Sequence, residues 1–209
     1  DTACVHSAVR GCDHVFHLAA LIGIPYSYRA AESYIRTNVS GTLNVLEACR
    51  AAGVARLVHT STSEVYGSPE SVPIDELHRV KPQSPYAATK ASADLLALSY
   101  RASFELPVVV VRPFNTYGPR QSARAVIPTI ITQALARGRV RLGSTDTLRD
   151  FLFVEDTAAG FLAAARATAA EGEVVQLGTG TATSIEGIVE AVAAILGVEL
   201  AVETDQTRI

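Results

Sequence analysis

The sequence predicts an α/β fold in which helices cover a parallel sheet. Two observations lead to this class: short runs rich in β-branched residues are bounded by polar or turn residues, and longer segments with helical apolar spacing separate them. A strand that is followed by a helix and a further strand pairs in parallel, because the crossover returns the chain to the same end of the sheet. The predicted strands are residues 15–18, 57–60, 108–111 and 174–177.

Five segments carry the helical spacing between and after these strands. The first ends at Gly53, a residue type that accepts the left-handed conformation of a helix C-cap. The second begins at Ser84 and Pro85, an N-cap followed by a proline in the first turn. The predicted helices are residues 34–52, 86–104, 127–137, 155–168 and 185–196.

The composition favours a protein that acts on a small molecule. At 209 residues, 48% hydrophobic and 19% charged, the chain buries one sizeable core and at most one small appended region. A net charge of -3 without runs of like charge argues against a nucleic-acid partner. No stretch approaches the roughly 18 apolar residues of a membrane span, so no membrane partner is expected and the cytoplasm is the expected location.

Cysteine and histidine usage predicts neither disulfides nor a metal site. Cys4, Cys12 and Cys49 are odd in number and lack the C-x-x-C spacing, so reduced and mostly buried thiols are expected. The five histidines also lack the spacing of metal ligands.

One pattern that dinucleotide-binding sheets need is absent. Such sheets open with a strand, a glycine-rich turn and a helix, because backbone amides must approach the pyrophosphate at the helix N-terminus. Gly11 and Gly23 stand alone and do not form this pattern. Either the protein binds no dinucleotide or its sequence begins after that unit, and the motifs further along the chain favour the second alternative.

Tyr86 and Lys90 are the leading candidates for a catalytic pair. Four residues apart on a predicted helix, they share one face, where a fixed ammonium is expected to lower the phenol pKa so that the phenolate can act as a base. With seven tyrosines and two lysines in 209 residues, chance places such a pair in about 7% of shuffled chains. The alternative is a surface tyrosine beside a solvated lysine.

A hydroxyl-rich segment follows the second predicted strand. Residues 60–67, Thr-Ser-Thr-Ser-Glu-Val-Tyr-Gly, begin at the carboxyl end of that strand, where ligands bind in open parallel sheets. A hydroxyl there could share a substrate proton with Tyr86. The alternative is a strand end whose hydroxyls satisfy neighbouring backbone groups.

Six ordered segments stand out along the chain: Val-Phe-His-Leu-Ala-Ala at 15–20, Thr-Asn-Val-Ser-Gly-Thr at 37–42, residues 60–67, Ser-Pro-Tyr-Ala-Ala-Thr-Lys at 84–90, Arg-Pro-Phe-Asn-Thr-Tyr-Gly-Pro-Arg at 112–120 and Arg-Asp-Phe at 149–151. In this order they resemble the extended short-chain dehydrogenases/reductases of the NAD-dependent epimerase/dehydratase family. Together they span nearly the whole chain, and six ordered motifs are far more specific than any one of them. The resemblance implies a Rossmann-like, doubly wound parallel sheet with a smaller C-terminal substrate-binding region.

The resemblance also implies how the chain is divided. Residues 1–125 would be the remainder of the NAD-binding domain, and residues 126–209 mostly a nucleotide-sugar-binding region interleaved with late Rossmann elements. Residue 1 would follow the third strand of the family fold, so roughly 60 family residues, with the phosphate-binding turn, would be missing from the N-terminus. This chain alone is then expected to be inactive and not to retain NAD. The family further implies a homodimer.

Site residues are transferred from the family motif by motif. Tyr86 would be the base, Lys90 would modulate its pKa and bind a ribose, and Thr62 would be the hydroxyl partner, with Ser63 and Glu64 beside it. The NAD cofactor would also contact Ala19, Ala20, Asn38, Thr60 and Pro113. The nucleotide-sugar substrate would contact Asn115, Arg120 and Arg149.

The residues after Thr62 bear on which reaction of the family takes place. The 4,6-dehydratases carry Asp-Glu at this point, and here the pair is Ser63 and Glu64. The retained glutamate favours a nucleotide-sugar 4,6-dehydratase, and residues 112–135 resemble the N-acetylglucosamine type of legionaminic acid pathways. A nucleotide-sugar 4-epimerase or a UDP-glucuronate decarboxylase are alternatives. A non-catalytic NAD(P)-sensing or interaction module is another, although it would be expected to have lost the Tyr/Lys pair.

Overall fold

The computed structural model describes residues 1–205, which form two compact units. The first unit comprises Asp1–Pro113 and Thr157–Leu177, and the second comprises Phe114–Asp156 and the residues from Gly178 onward. The helices are α1 (Thr2–Val9), α2 (Ile24–Ser27), α3 (Ala31–Tyr34), α4 (Gly41–Ala52), α5 (Pro85–Phe104), α6 (Val126–Arg137), α7 (Val154–Arg166) and α8 (Ile185–Leu196). The strands are β1 (His14–His17), β2 (Arg56–Thr60), β3 (Val108–Pro113), β4 (Asn115–Tyr117), β5 (Arg139–Leu142), β6 (Leu148–Phe153), β7 (Val174–Leu177), β8 (Ala182–Ser184) and β9 (Ala201–Thr204).

A four-stranded parallel sheet organises the first unit. Its strand order is β1-β2-β3-β7, and each strand pairs in parallel with its neighbour. All four strands therefore end at the same edge of the sheet. The predicted α/β class is confirmed, and the four predicted strands lie at nearly the predicted positions.

Helices cover both faces of this sheet. Because side chains alternate along a strand, β3 directs Val108 and Val110 towards α4 and α5, and Val109 and Val111 towards α7. All four valines are fully buried. Burial on both faces explains why this strand is an unbroken apolar run instead of an alternating one.

The predicted helix ends are confirmed at α4 and α5. The Ser84 hydroxyl accepts a hydrogen bond from the backbone N–H of Ala87 at 3.1 Å, with Pro85 in the first turn. Gly53 follows α4 with a φ of 63°, the left-handed conformation expected of this cap.

The first long predicted helix, residues 34–52, is not continuous. A π-helical segment, Ile35–Ser40, separates α3 from α4. Short π-helical turns are frequent at functional sites, because the wider turn re-aims the side chains that it carries. Here it carries Asn38, which is buried.

The second unit contains a three-stranded sheet and a two-stranded sheet. In the first of these, β4 is parallel to β6 and β6 is antiparallel to β8; in the other, β5 is parallel to β9. Strand β5 alternates exposed arginines with the buried residues Val140 and Leu142, which pack with Ile130 of α6 and Val189 of α8. The unit therefore has an apolar core of its own.

The thiols are reduced, but most of them are not buried. Cys4 and Cys12 are exposed and only Cys49 is buried, so the prediction of mostly buried thiols was wrong. Cys4 lies on α1, which buries only Val9, and Cys12 lies in the turn that follows it. Across residues 1–205, none of the helices is both long enough and apolar enough to cross a membrane.

Candidate active site

Helix α5 presents one face to the carboxyl end of strand β2. Tyr86, Lys90 and Asp94 are spaced by four residues along that helix and are all buried. The end of β2 brings Thr60, the last residue of the strand, to this face, and the segment that follows brings Thr62. The Tyr-x-x-x-Lys pair and the hydroxyl-rich strand end, two separate sequence signals, therefore meet in one place.

Lys90 is held deep in this site. It is 4% exposed, and its ammonium group donates a hydrogen bond to the backbone carbonyl of Thr60. Burial disfavours the charged form and lowers the pKa of Lys90 to about 8, against an opposing effect of Asp94. With this pKa, the Lys90 side chain is mostly protonated at pH 7 and loses its proton at weakly alkaline pH.

Tyr86 lies beside Thr62 and is 7% exposed. Burial raises its pKa above the ordinary value, a hydrogen bond with Thr62 lowers it, and the negative charge of Glu64 raises it further. The expectation that Lys90 would bring this pKa below its usual range is therefore wrong for the chain described here. Desolvation of the phenolate outweighs the groups that favour it.

Ser63 and Glu64 lie in a 3₁₀ turn, Ser63–Tyr66, that Thr62 caps. The Thr62 hydroxyl accepts a hydrogen bond from the backbone N–H of Glu64 at 3.2 Å. Both Ser63 and Glu64 are partly exposed. Because the Glu64 charge acts on the pKa of Tyr86, the turn places a carboxylate within electrostatic reach of the phenol.

Asn38 joins the loop after β1 to helix α5. Its side-chain oxygen accepts from the Leu21 backbone N–H at 2.8 Å, and its amide nitrogen donates to the Leu21 carbonyl at 3.0 Å and to the Thr89 hydroxyl at 3.1 Å. Ala19 and Ala20 lie in the same loop. Asn38 therefore fixes the loop that carries Ala19 and Ala20, and contact of these three residues with the cofactor stays a prediction.

The Thr60 hydroxyl and the Lys90 ammonium have hydrogen-bonding capacity left, which suits a ligand that is rich in hydroxyls. The Thr60 hydroxyl is buried and has no hydrogen-bond partner among the described residues. The Lys90 ammonium has further N–H groups beyond the one that it donates to Thr60. Since buried polar groups are normally paired, the ribose of a nicotinamide nucleotide fits this pair of groups. Pro113, also predicted to contact the cofactor, is half-buried at the end of β3.

Three predicted substrate ligands lie in the second unit. Asn115 begins β4 and is half-buried; Arg120 is exposed, with a φ of 68°, and Arg149 is exposed on β6. Next to Arg149, the Asp150 carboxylate accepts hydrogen bonds from the backbone N–H groups of Thr179 and Gly180 at 2.8–3.0 Å. Asp150 thus fixes the glycine-rich turn after β7.

The sequence did not predict the buried polar network around Asp94, which lies one helical turn beyond Lys90 on α5. Asp94 bonds to Ser61 and Arg112, and His59 lies 3.3 Å from it. His17 on β1 bonds to Thr42 at 3.0 Å, and its ring centroid lies 5.6 Å from that of His59, with the two rings tilted by 40°. A sequence signal for Asp94 existed, because the four-residue spacing of Tyr86 and Lys90 continues to position 94.

The depressed pKa of Lys90 makes a prediction about stability. Between the folded value of about 8 and the ordinary value of 10.5, the unfolded chain holds a proton that the folded chain has lost, so this contribution to stability rises with pH. Relative to Lys90→Met, the wild type should gain about 2–3 kcal/mol from pH 7 to pH 10. Urea unfolding of both proteins at the two pH values measures this gain; a difference that does not change with pH would contradict it.

Comparison with known proteins shows the family. The family model described as GDP-mannose 4,6 dehydratase matches residues 1–208. A dTDP-glucose 4,6-dehydratase of Streptomyces griseus is 42% identical over 180 residues, which are 86% of this chain and 55% of that protein. A UDP-glucose 4-epimerase of Mycolicibacterium smegmatis is 37% identical over 188 residues, 88% of this chain and 60% of that protein. The chain thus spans somewhat more than half the length of these relatives.

A solved structure gives the same result for the fold. The dTDP-glucose 4,6-dehydratase DesIV of Streptomyces venezuelae, a double mutant with NAD and DAU bound, matches with a TM-score of 0.91 and 31% identity. The match covers 100% of this chain and 66% of that one. The Rossmann-like fold predicted from the sequence is confirmed. This chain belongs to the GDP-mannose 4,6-dehydratase family of extended short-chain dehydrogenases/reductases, an NAD-dependent family of dehydratases and epimerases.

Proposed function

We propose that this protein is an NAD-dependent nucleotide-sugar 4,6-dehydratase. The observation that carries the proposal is the position of Glu64, a carboxylate within electrostatic reach of the Tyr86 phenol in the turn that Thr62 caps. Oxidation at C4 needs Tyr86, Thr62 and Lys90. Removal of the C5 proton needs a further base, and Glu64 is a carboxylate in the turn that Thr62 caps, within electrostatic reach of Tyr86.

The residues of this chain divide the reaction between them. Tyr86 takes the proton of the C4 hydroxyl, with the Thr62 hydroxyl stabilising the phenolate and Lys90 supplying positive charge. Thr60 and Lys90 would hold the ribose of NAD, and the bound cofactor would supply the reversible hydride chemistry between C4 and C6. Glu64 removes the C5 proton, which the new C4 ketone has made acidic, and the C6 hydroxyl departs as water.

Because position 63 is a serine, another group must protonate the departing C6 oxygen. No carboxylic acid stands at this position to protonate the departing C6 oxygen, and Ser63 is partly exposed next to Glu64. We assign the proton delivered to that oxygen to Glu64, which has just received one from C5. Once it has given up this proton, Glu64 takes another from solvent and returns it to C5 as C6 is reduced. Tyr86 releases the proton of the former C4 hydroxyl to solvent, so atoms and charge balance.

The substrate that we propose is a nucleotide-linked N-acetylglucosamine. The Ser-Glu pair and residues 112–135 support this type over the glucose type, which carries Asp-Glu. The dTDP-glucose 4,6-dehydratases at 42% and 40% identity support dehydration in general. The 37% identity with a UDP-glucose 4-epimerase keeps 4-epimerisation as the second candidate.

A panel of nucleotide sugars tests both choices. The protein as its gene encodes it, incubated with UDP-, GDP- and dTDP-linked glucose, N-acetylglucosamine and glucuronate, should convert an N-acetylglucosamine nucleotide to a 4-keto-6-deoxy product that is lighter by one water. Mass spectrometry of the products measures this loss. A product of unchanged mass would indicate an epimerase, and loss of carbon dioxide from a glucuronate nucleotide would indicate a decarboxylase.

A further inference from the structure

Three consecutive residues at the carboxyl end of β2, the last of the strand and the two that follow, each engage one residue of the α5 face. The Thr60 carbonyl accepts from the Lys90 ammonium, the Ser61 hydroxyl donates to the Asp94 carboxylate at 2.7 Å, and Thr62 bonds to Tyr86. The two catalytic contacts therefore share a helix and a strand end with a third contact. That third contact, between Ser61 and Asp94, has no part in the reaction proposed above.

Asp94 is the most heavily bonded of these side chains. Its side chain is 2% exposed, and one carboxylate oxygen accepts from Ser61 and from two nitrogens of the Arg112 guanidinium, at 3.1 and 3.0 Å. Its other oxygen lies 3.3 Å from the Nε2 atom of His59. Two guanidinium nitrogens share one carboxylate oxygen here, and such charge-assisted hydrogen bonds are stronger than neutral ones.

The network continues from Arg112 across the sheet. Arg112 also donates to the Tyr66 hydroxyl at 2.9 Å, and the Gln176 amide donates to the same oxygen at 2.7 Å. Strands β2, β3 and β7 of the first unit are thereby tied through one carboxylate to helix α5. Removal of Asp94 would leave Arg112 buried without its counter-charge.

We propose that Asp94 is a positioning residue for the Tyr86–Lys90 pair, which it holds against the end of β2 and beside whose lysine it places a negative charge. This inference rests on the proposed function, because it assigns Asp94 a part in the same site. The role is indirect: Asp94 acts through Lys90 and through the strand ends.

The charges around Lys90 support this role. The titratable groups that interact with it electrostatically are His17 from β1, His59 from β2 and Asp94 from α5. Burial lowers the pKa of His17 to about 3 and lowers that of His59, so both histidines are neutral near pH 7. Asp94 supplies the negative charge that opposes the effect of burial on Lys90.

Direct titration of Lys90 tests the inference without any substrate. Lysine labelled with ¹³C at Cε is incorporated, the Lys90 signal is assigned by its loss in Lys90→Arg, and its pKa is measured by NMR. In Asp94→Asn the pKa should fall by about one unit or more below that of the wild type. The matched control, Glu32→Gln, removes an exposed carboxylate that pairs with Arg36 and should leave the Lys90 pKa unchanged.

A second variant covers the case in which Asp94→Asn does not fold. Asp94→Asn with Arg112→Gln removes both buried charges together. Because Asp94 is the charge that raises the Lys90 pKa, this pKa should again fall, by less than in Asp94→Asn because a nearby positive charge is also lost. An unchanged or raised Lys90 pKa in the folded variant would overturn the inference. Because the titration needs neither cofactor nor substrate, a failure here is separate from a failure of the panel of nucleotide sugars, which tests the proposed function alone.

Discussion

Tyr86→Phe should lower the rate of the first oxidation by about 10²–10⁴-fold, the contribution of a positioned general base. The substitution removes the oxygen that would take the C4 hydroxyl proton and leaves the ring in its buried place. Rapid mixing of the protein as its gene encodes it with NAD and nucleotide sugar, followed by the absorbance of reduced nicotinamide, measures this step.

Tyr100→Phe is the matched control for this prediction. Tyr100 lies on the same helix, α5, and is also buried, but its hydroxyl bonds to the Glu47 carboxylate. The control removes a tyrosine hydroxyl from the same helix and should leave the oxidation rate close to that of the wild type. Near-normal oxidation by Tyr86→Phe would remove the short-chain dehydrogenase mechanism from consideration.

The parts of the site that follow a fixed spacing could be predicted from the sequence. The separation of Tyr86 and Lys90 by four residues fixes their common helix face, and a strand followed by hydroxyls places Thr62 at a ligand-binding edge. The Ser84 cap and Gly53 likewise follow from local backbone preferences. All of these signals depend on neighbours in sequence.

What depends on distant neighbours could not be predicted. The bonds of Asp94 reach Ser61 and Arg112, which lie 33 and 18 residues away along the chain. The direction of the Tyr86 pKa shift depends on how completely the phenol is buried, which spacing does not reveal. The π-helical segment that carries Asn38 has an apolar pattern close to that of an α-helix.

Glu64→Gln should separate oxidation from elimination. Glutamine keeps the shape and hydrogen-bonding capacity of the side chain but removes the base, so hydride should still leave C4 while the C5 proton stays in place. Turnover to the 4-keto-6-deoxy product should fall by about 10²–10⁴-fold. Reduced nicotinamide should therefore accumulate on the protein, visible by its absorbance after a single addition of substrate.

Glu70→Gln is the control for this second variant. Glu70 is an exposed carboxylate six residues further along the same segment, so its loss changes the net charge by the same amount without touching the Thr62 turn. Its turnover should match that of the wild type. If Glu64→Gln also turned over normally, the base for the C5 proton would have to be another group.

The exchange of hydrogen at C5 tests the central claim most directly. The wild-type protein, as its gene encodes it, is incubated in D₂O with an N-acetylglucosamine nucleotide, and the product is examined by NMR. The proposed 4,6-dehydratase predicts solvent deuterium at C5 of a 4-keto-6-deoxy sugar, and loss of that incorporation in Glu64→Gln. A C4 epimer that retains its original hydrogen at C5, formed equally well by Glu64→Gln, would contradict the proposal.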